Sequence, residues 1–295
     1  MPSLHQLQTF LDVIDAGSVR AAAERQNVSQ PAVSSALATL QREVRAPLFE
    51  RDGRTLRLAA SGKALERYAR RVLSLIAEGL EEARAAQTAR AGRVRMAAVT
   101  TAAEHLLPQL IQGFGQREGT GEIELEVANR SRVWDFLAHW EVELVLAGRP
   151  PLGRAFQTLA TRGNELVVVG PAHTGAHDIE ALARETWLLR ESGSGTRTTT
   201  EEFFTALAID PPRLTIGSNG AIRECIRVGL GVSLLAREGI ARELADGVID
   251  IIATPVTPLP RPWHLVASAE RELSSPAARF VDYLRTAGDF TSTDA

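Results

Sequence analysis

Two groups of residues in this chain have types and spacings that could do chemistry. The first would hold an anion. The run ESGSGTR at 191–197 lies between a strand pattern and a helix pattern. Its glycines let backbone N–H groups point inward, and such nests and helix N-termini favour carboxylates and phosphates. Thr100 and Thr101 sit between an apolar strand and its helix. Asn129 and Gly148-Arg149 end the next two strands, and Asn219 starts a helix after LTIGS. Together Thr100, Thr101, Asn129, Arg149, Ser192, Gly193, Ser194, Thr196 and Asn219 are candidates to contact a small anionic metabolite, a carboxylate or a phosphorylated compound, with Arg149 or Arg197 supplying charge. The alternative is that GSGT is only a flexible strand-to-helix turn.

The second group would meet a polyanion. In NVSQPAVSSALATLQREV (27–44), Val33, Leu37, Leu40 and Val44 recur at helical spacing and make one apolar stripe. The other side carries Pro31, Ser34, Ser35, Ala38 and Arg42, which are small, polar or basic. Ser29 is a plausible N-cap, and Pro31 falls in the first turn, where a missing N–H costs nothing. A helix buried on one face and short-chained on the other suits the major groove of DNA, about 12 Å wide. The alternative is a helix pair that serves only assembly.

Other chemistries find no residues to carry them. A pyridoxal enzyme needs a Schiff-base lysine, and the sole lysine, Lys63, belongs to a different part of the chain. No Gly-Lys-Ser/Thr is present for a P-loop. His173 and His177 fall in a loop-like stretch and read as surface residues, and Cys225 reads as a small buried residue. We expect no catalysis, no cofactor and no metal.

The elements that must position these groups follow from periodicity. Leu4, Leu7, Phe10, Leu11 and Ile14 mark a first helix ending near Gly17; Ser18 caps a short alanine-rich helix, Val19 to Arg25; Gln26 to Val28 turn into the helix above. Two helices joined by a short turn are a helix-turn-helix. Leu48 and Phe49 plug its core, Asp52-Gly53 signals a hairpin, and Thr55 to Leu58 alternate like a strand. This is a wing, with Arg51 and Arg54 at its tip. A long helix from Ser61 to about Arg90 carries Leu65, Ala69, Val72, Ile76, Leu80 and Ala83 along one seam, which predicts pairing with a second copy. Ala91-Gly92 reads as a boundary. Beyond it, strand and helix patterns alternate, which predicts an α/β fold with largely parallel sheets, ending in a helix from Pro276 to Thr286 and a frayed tail, DFTSTDA.

Composition agrees. The 295 residues suit two domains, and 44% apolar with 23% charged is ordinary for a soluble protein. The net charge of −3 divides unevenly: 13 basic against 10 acidic residues in 1–92, and 20 against 26 in the rest. No run is long and apolar enough for a membrane span, the start lacks a secretory pattern, and one cysteine fits a reducing compartment, so we expect a bacterial cytoplasmic protein with no membrane partner.

The front end, LQTF…GSVRAAAERQNVSQPAVSSALATLQREV…PLFERDGRTLRLAASG, resembles the LysR-type transcriptional regulators, and the resemblance extends along the whole chain. It implies a winged helix-turn-helix at 1–60, a linker and dimerisation helix at 61–91, and a two-lobed effector domain at 92–295, similar to periplasmic binding proteins. Lobe I would comprise 92–162 plus 267–295, and lobe II 163–266, with crossings near 161–163 and 266–268. It also implies double-stranded DNA, a small-molecule effector, homodimers or homotetramers and RNA polymerase as partners. Ser18, Ser29, Gln30, Pro31, Ser34, Ser35, Arg51 and Arg54 would approach bases and phosphates. Two departures stand out: Ser35-Ala36 replaces the long side chains often found after the second serine, and Ala59-Ala60 replaces a common Thr-Pro. Specificity would then lean on Gln30, the wing and DNA shape. The ESGSGTR loop resembles that of the branch regulating carbon fixation and related anabolic genes. The alternative reading is a two-lobed small-molecule-binding protein without DNA function.

Overall fold

The computed structural model describes residues 1–52, 55–85, 93–118, 122–153, 155–175 and 178–292. The chain divides into two compact units, one of Met1–Ala89 with Ala138–Glu141 and one of Arg90–Leu137 with Val142–Ala295. The expected boundary at Ala91-Gly92, the end of the linker helix beyond Ala85, and the candidates Arg54 and His177 lie outside the described residues.

The first unit contains helices α1 (Leu4–Ala16), α2 (Val19–Gln26) and α3 (Gln30–Val44), a hairpin of β1 (Phe49–Asp52) and β2 (Thr55–Leu58), and α4 (Ala60–Ala85). Each short helix begins at a serine cap. Ser3, Ser18 and Ser29 accept from the backbone N–H of Gln6, Ala21 and Ala32. Each ends on a left-handed residue: Gly17, Asn27 and Arg45. Glycine and asparagine adopt that conformation at little cost, whereas at Arg45 it costs about 1–2 kcal/mol. The core forms from Phe10, Leu40 and Leu48, none with any exposed surface, together with Val33 and Leu37. Gln41 Oε1 accepts from the Leu48 N–H at 2.9 Å, which ties the start of the wing to α3.

The seam expected along α4 splits in two. Of the seam, Leu65 and Ala69 pack into the core of their own unit, with Leu73 beside them, while Val72, Ile76 and Leu80 remain exposed, as do Tyr68 and Leu75. Arg70 fixes the first half by bonding Asp15 of α1 at 2.6 Å and Glu66 at 3.0 Å.

The second unit has two lobes. Lobe I opens with β3 (Arg93–Val99), α5 (Thr100–His105), α6 (Leu107–Glu118), β4 (Glu122–Ala128), α7 (Arg130–Ala138), β5 (Leu144–Ala147) and β6 (Phe156–Arg162). The chain breaks at Leu106 between α5 and α6, because Pro108 has no N–H to bond the carbonyl four residues back and is tolerated only in the first turn of a new helix.

Lobe II follows with β7 (Glu165–Pro171), α8 (Ile179–Arg184), β8 (Trp187–Leu189), α9 (Gly195–Leu207), β9 (Arg213–Thr215), α10 (Asn219–Arg227), β10 (Ser233–Ala236), a 3₁₀ turn at Arg237–Ile240, α11 (Ala241–Ala245), β11 (Ile249–Ile251) and β12 (Leu259–Pro260). The chain then returns to lobe I as β13 (Trp263–Ser268), α12 (Ser275–Ala287) and β14 (Thr291–Ser292).

The sheets are mixed rather than largely parallel. In lobe I the order is β14-β6-β13-β5-β3-β4, with only the β3 ladders parallel. In lobe II, β10, β11 and β12 all run antiparallel to β7, and β8 pairs β9 in parallel. Strand alternation could not reveal this, since the lobe crossings reverse direction in segments too short to contain a helix. The second crossing also falls earlier than expected. All of β13 pairs with β5 and β6, so lobe II ends near Pro260 and the crossing is at 261–262, not 266–268. The tail is not wholly frayed either, because Thr291 and Ser292 pair with β6. The two crossing segments are bonded to each other: the Arg261 N–H donates to Asn164 O, and Asn164 Nδ2 donates to Arg261 O, both at 2.8 Å.

Candidate functional sites

On α3, Ser29, Gln30, Pro31, Ser34, Ser35, Ala38 and Arg42 are all exposed, opposite the buried Val33, Leu37 and Leu40. The helix therefore offers one continuous polar, short-chained face. Ser18 is half-buried at the start of α2. The oxygens of Ser18 and Ser29 accept cap bonds at 3.1 and 3.4 Å, so each hydroxyl proton is left to donate to a phosphate. Arg51 lies on β1 with its side chain outside the described residues; Arg57, on β2, is exposed.

In the second unit a cleft of about 390 Å³ opens between the lobes. Its lobe I wall comes from the starts of α5 and α7 and the loop after β5. Its lobe II wall comes from the N-terminal half of α9, and Asn164 and Arg261 of the crossings, with Trp263 at the start of β13, also line it.

Of the nine expected contacts, Thr100, Thr101, Asn129, Arg149, Ser194 and Thr196 line this cleft; Ser192, Gly193 and Asn219 do not. Ser192 and Gly193 are exposed, and Gly193 packs against Asn129 and Ser131 of lobe I. Gly193 has φ +86°, and its carbonyl accepts from the Ser131 N–H at 3.2 Å, so it joins the lobes through backbone. Asn219 is 5% exposed and works from behind: its Nδ2 donates to Thr101 Oγ1 at 3.0 Å. Arg197 points away from the cleft. It bonds Glu201 at 2.9 Å and the Arg190 carbonyl at 3.2 Å.

The charge comes mainly from arginines that sequence reasoning missed. Arg130, Arg190 and Arg261 line the cleft beside Arg149, against one carboxylate, Glu202. Arg130 Nη2 donates to the Arg149 carbonyl at 2.9 Å, and among the described residues Arg130 meets no carboxylate at ion-pair distance. Its stem crosses Gly195 so closely that a Cβ there would lie 3.0 Å from Arg130 Cδ. Burial, and then the neighbouring Arg261, hold the Arg130 pKa below its ordinary value. Arg261 is better compensated, bonding Thr199 Oγ1 at 3.0 Å and Glu202 at 3.1 Å.

Ser194 stands at the N-cap of α9 without making a side-chain cap bond, so the first-turn N–H groups at Gly195 and Thr196 keep no side-chain partner from it. Both residues line the cleft. A helix N-terminus beside several guanidinium groups is suited to hold a carboxylate or phosphate. Among the described residues, no group of His, Cys, Asp and Glu side chains could hold a metal ion.

Comparison with known proteins covers the same two regions. Residues 4–63 match the model of the bacterial regulatory helix-turn-helix protein of the lysR family, and residues 87–289 match the LysR substrate binding domain. The chain is 30% identical to the HTH-type transcriptional activator CmpR of Synechocystis sp. over 288 residues, 96% of this chain and 94% of that protein. It is 32% identical over 288 residues, 96% of this chain and 95% of the relative, to a RuBisCO operon transcriptional regulator of Allochromatium vinosum. The regulatory domain of Synechocystis CcmR, solved in complex with 2-PG, superposes with a TM-score of 0.62 at 30% identity, covering 66% of this chain and 96% of that domain.

Proposed function

The chain belongs to the LysR family of transcriptional regulators, DNA-binding proteins with an effector domain, and from that premise we propose its ligand and its contacts. The regulatory helix-turn-helix at 4–63 sets aside a binding protein without DNA function. The effector is a small metabolite bearing a phosphate or carboxylate. The observation that carries this is the lining of the cleft, four arginines against one carboxylate, with the start of α9, whose N-cap makes no side-chain bond, beside them. The anion sits against Thr100, Thr101, Ser194 and Thr196, with Arg130, Arg149 and Arg261 supplying charge; Asn129 and Asn219 brace the walls. Because a 30% identical domain was solved with 2-PG, 2-PG is the first compound to try. Control of a RuBisCO operon is proposed on the same footing, from the relatives named as RuBisCO operon transcriptional regulators.

On DNA, α3 enters the major groove and presents Gln30, Ser34 and Ser35 to base edges. Ser18, Ser29, Pro31 and the wing arginines Arg51 and Arg54 follow the backbone. The exposed stripe Tyr68, Val72, Leu75, Ile76 and Leu80 of α4 pairs with a second copy, and dimers join into a tetramer. Two recognition helices then require a partial inverted repeat. The protein works in the bacterial cytoplasm, contacts RNA polymerase when it activates, and turns over no substrate. Among the described residues, no helix is long and apolar enough to cross a membrane.

A nuclease footprint of the full chain upstream of its own gene, at two salt concentrations and with or without 2-PG, tests both halves. We expect protection that weakens steeply with salt and changes in extent or hypersensitivity with 2-PG. A footprint indifferent to 2-PG and to other phosphorylated metabolites would remove the effector proposal; no protection at low salt would remove the DNA contacts.

A further inference from the structure

Behind the cleft wall lies a chain of polar side chains that spans both lobes. Thr101 Oγ1 accepts from Asn219 Nδ2 at 3.0 Å, and Asn219 Oδ1 accepts from Arg190 Nη1 at 2.6 Å. The remaining edge of Arg190 forms a two-pronged pair with Glu191: Nε donates to Oε2 at 2.8 Å and Nη2 to Oε1 at 3.0 Å. Glu191 also accepts from the side chain of Asn129, whose Oδ1 is committed to the Arg132 N–H at 3.1 Å. Every amide in the chain thus has a fixed orientation. Arg190 is 7% exposed and lines the cleft; Glu191 does not line it.

The consequence concerns the fork of Arg190. A guanidinium binds a planar anion best through two parallel N–H groups, and here a carboxylate of the same chain already holds that edge. An anion in the cleft meets Arg190 only through what is left, and feels its charge largely cancelled by Glu191. We propose that Glu191 is a built-in counter-ion that sets the affinity of the cleft for its anion, a role that rests on the anionic-effector reading above. Neutralising it would restore a full positive charge to the wall without removing a donor to the ligand. Glu191 is a positioning and affinity-setting residue. It need not touch the ligand. Burial works to raise its pKa, but the bonds from Arg190, the backbone and Asn129 outweigh that, so it stays ionised at neutral pH and the cancellation is permanent.

The test titrates 2-PG and, separately, inorganic phosphate into the full-length chain by calorimetry, comparing the natural chain with E191Q and E191D. Gln keeps an acceptor for Arg190 and Asn129 but loses the charge. Asp keeps the charge and shortens the reach. We expect E191Q to bind about fivefold tighter or better, with a steeper dependence on salt, and E191D to bind no tighter than the natural chain. If Glu191 served only to brace the turn, both variants would bind more weakly, and that result overturns the proposal. E191D binding tighter would overturn it as well, even if E191Q failed to fold. Failure of the natural chain to bind either anion overturns the effector reading and this inference with it, whereas binding by the natural chain without a gain in E191Q sinks only the inference.

Discussion

Arg130→Met separates a ligand contact from a structural one. The methionine keeps most of the stem that crosses Gly195 and loses the guanidinium with its bond to the Arg149 carbonyl, the one it makes among the described residues. That neutral-acceptor bond is worth about 1 kcal/mol net. The loss is offset by relief from Arg261, the neighbouring like charge that, after burial, holds the Arg130 pKa down. The ligand-free chain should therefore melt within about 2–4 °C of the natural one, the shift that 1 kcal/mol produces in a domain of this size. Binding responds differently. A charge-assisted hydrogen bond to an anion is worth about 1.5–3 kcal/mol, so affinity for 2-PG should fall roughly 10- to 150-fold. Calorimetric titration and differential scanning on the same preparation measure both quantities. A folded variant with unchanged 2-PG affinity would refute Arg130 as an anion contact. A large drop in melting temperature without ligand would show that its charge serves the fold.

Three further outcomes are expected. Burial and then Arg149 hold the pKa of His264 on β13 below 6.5. Between that depressed value and 6.5 the unfolded chain binds more protons than the folded one, so stability is flat above about pH 6.5 and declines as the pH falls below it; urea titrations from about pH 5 to 7.5 should find this slope reduced in His264→Gln. Leu40→Ala, at a position with no exposed surface, should cost about 2–5 kcal/mol and abolish the footprint, while calorimetry still detects 2-PG binding in the other unit. In binding competitions, Gln30→Ala should change which operator bases are preferred, at about 1–3 kcal/mol per lost base contact, whereas Arg51→Gln should weaken all sequences alike and lower the salt slope by about 1; the reverse pattern would exchange their roles.

What could be read from the sequence was whatever local chemistry decides. The serine caps, the apolar stripe of α3 and the hairpin signal each depend on residues a few positions apart, and the structure has a helix or strand at each. The α4 seam was half misread, because periodicity shows that one face is apolar and not what covers it. Leu65 and Ala69 went to the unit's own core. The cleft divided the same way. Its threonines and the α9 turn carry a local signature, whereas Arg130, Arg190 and Arg261 come from three distant stretches and meet only because the chain crosses twice between lobes. A signal for two of them was nonetheless present. Thr100, Asn129-Arg130, Gly148-Arg149 and Arg190 follow directly on β3, β4, β5 and β8, whose parallel ladders place their C-terminal ends on common edges. Ligands of open α/β sheets bind outside the carboxyl ends of the strands. Reading the first polar residues beyond every strand, rather than only those in glycine-rich turns, would have found Arg130 and Arg190. Arg261 would still have escaped, because it lies on a crossing between antiparallel strands, and no rule of strand ends reaches it.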